Sequence, residues 1–308
     1  MHHARVAILL TLIAALVLGT HLIIPPAFAS KRGTVEFDAT LGAPITIVQI
    51  GEESFRFALD PLLGPFVTVN PDAQDRLAVK SIRDEGIKAK IDGVEIKGSL
   101  AKIVLRAGQR RHTVEAALMG RDHLPEGKAQ SYDIAGGFEA LPGHYVVVHL
   151  NREITGPTRE ITLSRQSNDL RPGFPIGVAD LDMRLNVHFA NSTTWLDRRA
   201  AEALINLQLL EATGEITEIP VWYGLRMSVQ RVLPLKPIAL KGIALTKLQA
   251  RTSETLILPE PDENVILVQR TKQGAQLPSI LLGFDTLKQC AKLVFDQRKR
   301  RMTLTCPA

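Results

Sequence analysis

Hydrophobic positions in this chain come mostly in short runs. Ile45–Ile50, Phe55–Leu59, Lys102–Leu105, Tyr145–Leu150, Ile161–Leu163, Met183–Phe189, Val265–Val268 and Met302–Leu304 are short runs of which several are rich in β-branched residues and the others in aromatic or aliphatic ones, and Gly, Pro, Asn or charged residues bound many of them. Such runs predict β-strands joined by turns, because a branched side chain packs well on a pleated surface. One stretch departs from this texture. From Thr194 to Leu210, residues Leu196, Ala200, Ala203, Leu204, Leu207 and Leu210 recur at helical spacing and predict an amphipathic helix. Shorter helices are expected after Gly137 and Gly283. The expected fold class is therefore mainly β with short helices.

The first thirty residues have another pattern. Arg5 precedes an unbroken apolar or small run from Val6 to Leu18, and Ala27-Phe28-Ala29 comes after it. A short positive end, an apolar stretch and a small-x-small site together make a secretory signal, because the peptidase pocket admits only small side chains. Residues 1–29 are read as a signal peptide cut before Ser30. Gly19 to Pro26 is long and still apolar, so an uncleaved anchor stays open, and with it an N-terminal membrane tether. Either way, the rest of the chain is expected to be periplasmic or secreted. No second stretch approaches the roughly 20 apolar residues of a membrane-spanning helix.

The later chain repeats itself. Asp133-Ile-Ala-Gly-Gly-Phe-Glu-Ala-Leu141 leads to the strand Tyr145–Leu150, a turn and the strand Ile161–Leu163. Ser279-Ile-Leu-Leu-Gly-Phe-Asp-Thr-Leu287 leads to Lys292–Phe295, the turn Asp296–Arg300 and Met302–Thr305. An apolar strand, Gly-Phe-acid-x-Leu and a β-hairpin thus occur once in each half, which is a sign of internal duplication. Gln166 to Gly177 has linker composition. The division read from this is residues 34–165, a linker at 166–178, and residues 179–308.

This closing unit resembles the C-terminal signature of retropepsin-like aspartic peptidases, the pepsin-type lobe. Leu277-Pro-Ser-Ile-Leu-Leu-Gly-Phe-Asp-Thr-Leu, then Leu293-Val-Phe-Asp and Arg301-Met-Thr-Leu, carry the likeness. The resemblance implies a two-lobed β-barrel architecture, each part of the division above being one lobe. It also implies a strand ending in Asp-Thr-Gly near the start of each lobe. In the first, Phe55-Arg-Phe-Ala-Leu-Asp60-Pro-Leu-Leu places Asp60 at the catalytic position, with Pro61 and Leu62 where Thr and Gly belong. In the second, Leu185-Asn-Val-His188-Phe-Ala-Asn-Ser-Thr-Thr-Trp places His188 there, and Thr193, Thr194 and Trp195 fall in the adjoining stretch, where the resemblance implies ligand contacts. Trp195 and Trp222-Tyr223 also read as core aromatics.

Two close carboxylates share a proton, so that one can act as base toward a water between them. A cationic or neutral His188 opposite Asp60 removes that arrangement, and the cationic form would make an ion pair. Leu62 and Ala190 add a Cβ where the family has glycine. Nothing else in the chain supplies another chemistry: there is no Gly-x-Ser-x-Gly elbow, His-Glu-x-x-His, phosphate loop or dinucleotide fingerprint. His144 and His149 fall on opposite faces of a strand and do not make a metal pair, and Asp122-His123 reads as a turn. No metal and no cofactor are expected.

Charge changes the picture little. The chain carries 37 Lys and Arg against 32 Asp and Glu, a net +5, and loss of Arg5 with the signal leaves +4. The densest run, Arg298-Lys-Arg-Arg301, lies between two apolar segments and reads as a solvated hairpin turn. Nucleic acid is not an expected partner, since aromatic residues are too scarce to interleave a basic face. Cys290 and Cys306 read as a disulfide in an oxidising compartment or as two buried free thiols.

The function expected first is that of an exported, catalytically degenerate peptidase-like protein binding a peptide or protein partner of the cell envelope between its lobes. The alternative is an active, atypical aspartic-type endopeptidase using Asp60 with His188. The third is a structural envelope protein.

Overall fold

The computed structural model describes residues 33–40, 42–77, 83–91, 94–119, 132–165, 173–189, 191–220, 226–245, 247–252 and 277–308. The signal segment 1–29, Ala190, Asp122-His123, Trp222-Tyr223, Val265–Val268 and residues 166–172 of the expected linker lie outside them.

The fold is mainly β. Its strands in the first half are β1 (Thr34–Asp38), β2 (Ile45–Ile50), β3 (Glu53–Leu59), β4 (Val67–Val69), β5 (Arg83–Ile91), β6 (Val94–Ala107), β7 (Arg110–Met119), β8 (Ile134–Gly136), β9 (Tyr145–His149) and β10 (Thr158–Ser164). In the second they are β11 (Phe174–Val178), β12 (Leu181–Val187), β13 (Thr194–Leu196), β14 (Leu210–Pro220), β15 (Arg226–Pro234), β16 (Ala239–Leu240), β17 (Ile243–Ala244), β18 (Leu248–Arg251), β19 (Ser279–Leu282), β20 (Lys292–Asp296) and β21 (Arg301–Pro307). Among the described residues three α-helices accompany them: α1 (Pro71–Gln74), α2 (Arg198–Asn206) and α3 (Phe284–Leu287).

Two seven-stranded sheets repeat one topology. The first runs β2-β3-β8-β4-β7-β6-β5 and the second β11-β12-β19-β13-β18-β15-β14. The directions match pair by pair. β3–β8 and β12–β19 are parallel, β4–β8 and β13–β19 antiparallel, β4–β7 and β13–β18 parallel, and the outer pairs antiparallel. The duplication legible in the sequence is thus a duplication of the whole sheet. The first strand of the second sheet, Phe174–Val178, falls within the span read as linker.

A third sheet joins the halves in the order β1-β9-β20-β21-β10. Here the structure departs from the expected hairpin after Gly137. β9 and β10 do not pair with each other. β1 lies parallel to β9 on one side, β20 antiparallel on the other, and β10 pairs with β21. Only the second copy, β20–β21, keeps the hairpin, closed by a turn in which Arg300 has φ 47°. The core passes through all three sheets. Phe295 of β20 stacks on Phe138 of the first half at 4.6 Å and meets Phe174 of the second edge-on at 6.3 Å.

The expected helix over Thr194–Leu210 is shorter than its apolar periodicity. Thr194–Leu196 form β13, which finds ladder partners in both β18 and β19. Those bonds hold the segment extended despite its apolar stripe. The helix starts only after Asp197, whose carboxylate accepts from Ala200 N at 2.7 Å and from Ser279 N at 2.9 Å. It buries Ala200, Ala201 and Leu204. Gln208, with φ 55°, turns the chain out of it, leaving Leu207 exposed and Leu210 in β14.

Cys290 and Cys306 are disulfide-bonded, tying the chain just after α3 to the last strand. Among the described residues no helix is long and apolar enough to cross a membrane.

Candidate functional site

Each seven-stranded sheet delivers one loop to an equivalent place. β3 ends at Asp60, and β12 ends at His188. The amide of Asp60 donates to the carbonyl of Gly136 at 2.8 Å, and that of His188 to Leu282 at 2.9 Å. The adjoining ladders pair Leu59 with Gly136 and Val187 with Leu282. The two residues aligned from sequence are therefore structurally equivalent, and both are buried.

The loop after each of these residues packs against a glycine that tolerates no side chain. A Cβ on Gly137 would collide with the backbone of Gly64, and one on Gly283 with the carbonyl of Thr193. The shared Gly-Phe-acid-x-Leu motif thus lets the closing turn of each half pass directly against its loop. In the second half the amides of Phe284 and Asp285 donate to the carbonyls of Asn191 and Ser192 at 2.7 and 2.9 Å.

The first loop accommodates its non-glycine residues by a local change. Pro61–Leu63 form a single 3-10 turn, with Pro61 at its first position, where no amide donor is needed. The Asp60 carboxylate caps the turn, accepting from Leu62 N at 3.1 Å. Leu62 keeps a negative φ, and the positive φ, 58°, is taken by Gly64. The Cβ of Leu62 is therefore accepted without left-handed strain.

The second loop is organised around His188. Asn191 donates its side-chain amide to Nδ1 at 2.8 Å, which leaves the ring proton on Nε2. The imidazole lies 5.4 Å from the Trp195 ring, tilted by 41°. Burial pushes the His188 pKa below its ordinary value, and the Asp60 carboxylate opposes that shift. Of the two forms the sequence left open for His188, burial favours the neutral one. That Asp60 acts on His188 at all brings the two loops into one electrostatic environment.

The remaining site residues inferred from sequence face inward. Thr194 is buried, and its hydroxyl accepts from Gly283 N at 3.1 Å and shares a hydrogen bond with the Thr286 hydroxyl at 2.7 Å. Trp195 packs with Met227 and Val229, and its indole N–H has no hydrogen-bond partner among the described residues. Thr193 is half-buried and presents its carbonyl to Gly283. Asn191, which engages Nδ1 of His188, is a member of this loop's polar contacts that sequence reasoning does not single out. Its signal there is only a polar residue three positions after His188. Among the described residues no group of three His, Cys, Asp or Glu side chains could hold a metal.

No protein-family model matches the chain, and no characterised protein matches it significantly.

Proposed function

We propose that the chain is an exported, two-lobed protein of aspartic-peptidase-like build that has given up ordinary peptidase chemistry and binds a peptide or envelope partner between its lobes. The observation that carries this reading is the pairing of Asp60 with a neutral, buried His188 at equivalent positions. Shared-proton chemistry needs two carboxylates whose mutual repulsion keeps one protonated. A neutral imidazole whose Nδ1 is already engaged supplies neither the second carboxylate nor the proton exchange. An extended peptide could still add to exposed strand edges through its backbone. The disulfide is compatible with an oxidising compartment outside the cytoplasm.

The experiment is incubation of the exported protein with a diverse peptide library across acid and neutral pH, with products read by mass spectrometry. No cleavage, together with retention of particular peptides on the immobilised protein, is the expected result. Cleavage that disappears in Asp60→Asn would overturn the proposal.

A second reading is favoured by one observation, the electrostatic action of Asp60 on His188. It makes the pair an atypical general base and hydrogen-bond donor of an active peptidase. In that case His188→Gln would lower cleavage without abolishing peptide retention.

A further inference from the structure

Two arginine-bearing turns, one from each half, meet where the described chain begins. The strand ends beside the β6–β7 turn carry Arg106, Arg110 and Arg111, and the turn between β20 and β21 carries Arg298 and Lys299. Gly33 sits among them. A Cβ at Gly33 would lie 3.2 Å from Arg110 Nη2 and 3.2 Å from His144 Cδ2. Arg298 Nη2 donates to His144 Nε2 at 2.8 Å, and His144 N donates to the Gly33 carbonyl at 2.7 Å. Three cationic or potentially cationic side chains thus gather round one backbone position.

Among the described residues no carboxylate forms an ion pair with Arg110, Arg111 or Arg298. Arg106 stands directly opposite Arg111 in the β6–β7 ladder, a like-charge pairing that disfavours the hairpin. The carboxylate acting on His144 is Asp296, which is buried and accepts from the amides of Arg298 and Lys299 at 3.0 Å each. Desolvation, then Arg298 and Arg110, push His144 below its ordinary pKa, with Asp296 opposing them. Tyr145, the next residue in the chain after His144, is 43% exposed. Such a face is open to an anion supplied from outside the described residues.

Its place in the sequence indicates which. Lys31 and Arg32 immediately precede Gly33 and come after the apolar run read as the export segment. Clustered basic side chains suit the charged surface of anionic lipids, and on the export reading this end of the chain leaves the translocon beside a membrane. We propose that the face formed by Arg110, His144 and Arg298 docks the anionic headgroups of phospholipids at the membrane surface from which the chain emerges. It is independent of what the Asp60 and His188 loops do, and it acts whether the export segment is cut or kept.

The test uses the protein as exported, with the N-terminus it carries there. The His144 ring resonance, assigned by its loss in His144→Gln, is titrated by NMR at constant ionic strength. The probes are dihexanoyl phosphatidylglycerol below its micellar concentration, the phosphatidylcholine analogue and inorganic phosphate. Phosphatidylglycerol is expected to shift the His144 titration upward and saturably, and the phosphatidylcholine analogue is not. In Arg110→Gln/Arg298→Gln the apparent affinity should fall about thirtyfold, while Arg198→Gln/Arg199→Gln should leave it unchanged. A shift no larger than sodium chloride produces overturns the proposal. An equal shift with inorganic phosphate overturns the lipid assignment in favour of a free-phosphate site.

Discussion

Asp60 and His188 occupy the same place in the two halves of the chain. Each closes a strand, each donates its amide to the strand beside it at 2.8 or 2.9 Å, and each is buried. Their side chains then diverge in chemistry. Asp60 turns back to cap its own loop at Leu62 N, whereas His188 is fixed through Nδ1 by Asn191. The scaffold has been kept in duplicate while the groups at its matched positions have become unlike.

The first prediction concerns acid. The folded-state pKa of His188 lies below that of the unfolded chain, because burial disfavours the cation more than Asp60 favours it. The unfolded state therefore takes up a proton first. The contribution of His188 is fully present above about pH 6.5, the ordinary histidine value, and is lost as pH falls from there toward the folded value. Urea unfolding from pH 7.5 down to pH 5 should show stability falling by up to about 1.4 kcal/mol per pH unit from this residue. His188→Gln should flatten that slope, and an unchanged slope would show that His188 is not its source.

Gly137 should be nearly intolerant of substitution. Gly137→Ala drives a Cβ into the backbone of Gly64, and both glycines are held short of relief by the strands beside them, Gly137 directly after β8 and Gly64 three residues before β4. A loss of about 4 kcal/mol or more is expected, at the far end of single-substitution effects. Gly156→Ala is the control, since nothing lies within 4 Å of a Cβ there. It should change stability by less than about 0.5 kcal/mol. Equal effects in chemical denaturation would refute the packing argument.

The two buried threonines should not be equivalent. Thr194→Val removes the acceptor of the Gly283 amide and the partner of Thr286, leaving a buried donor unmet. Thr286→Val leaves the Gly283 bond in place. Losses of about 2–3 kcal/mol for the first and about 1 kcal/mol for the second are expected, read from denaturant midpoints at constant m-value.

Removing the disulfide should weaken the fold without rearranging it. Cys290 and Cys306 are 16 residues apart, and closing a loop of that size restricts the unfolded chain by about 3 kcal/mol. Cys290→Ala/Cys306→Ala should lower stability by that order while keeping the far-ultraviolet circular dichroism spectrum. Reductant should destabilise the native protein and leave the variant unaffected.

Much of the fold was legible in the sequence. Short apolar runs marked β2, most of β3 and part of β21, and the Gly-Phe-acid-x-Leu motif marked the close of each half. The alignment of Asp60 with His188 came from the likeness of each strand end and its flanks to one family motif. These are local properties: alternation, strand length and a glycine before a turn depend on residues adjacent in the chain, so adjacency suffices to read them.

The tertiary structure decided what depends on distant neighbours. Thr194–Leu196 carries a helical stripe, yet two ladders hold it extended. β9 and β10 carry hairpin signals, yet β1 and β20 take both edges of β9, and β10 goes to β21. The charge of His188 was open in the sequence because it depends on burial and on Asn191 and Asp60. Arg110 and Arg298 are far apart in the chain and converge only because hairpins from the two halves meet at Gly33. Sheet order, burial and electrostatic neighbourhood are set by which long-range contacts close together, and no local window of sequence contains that information.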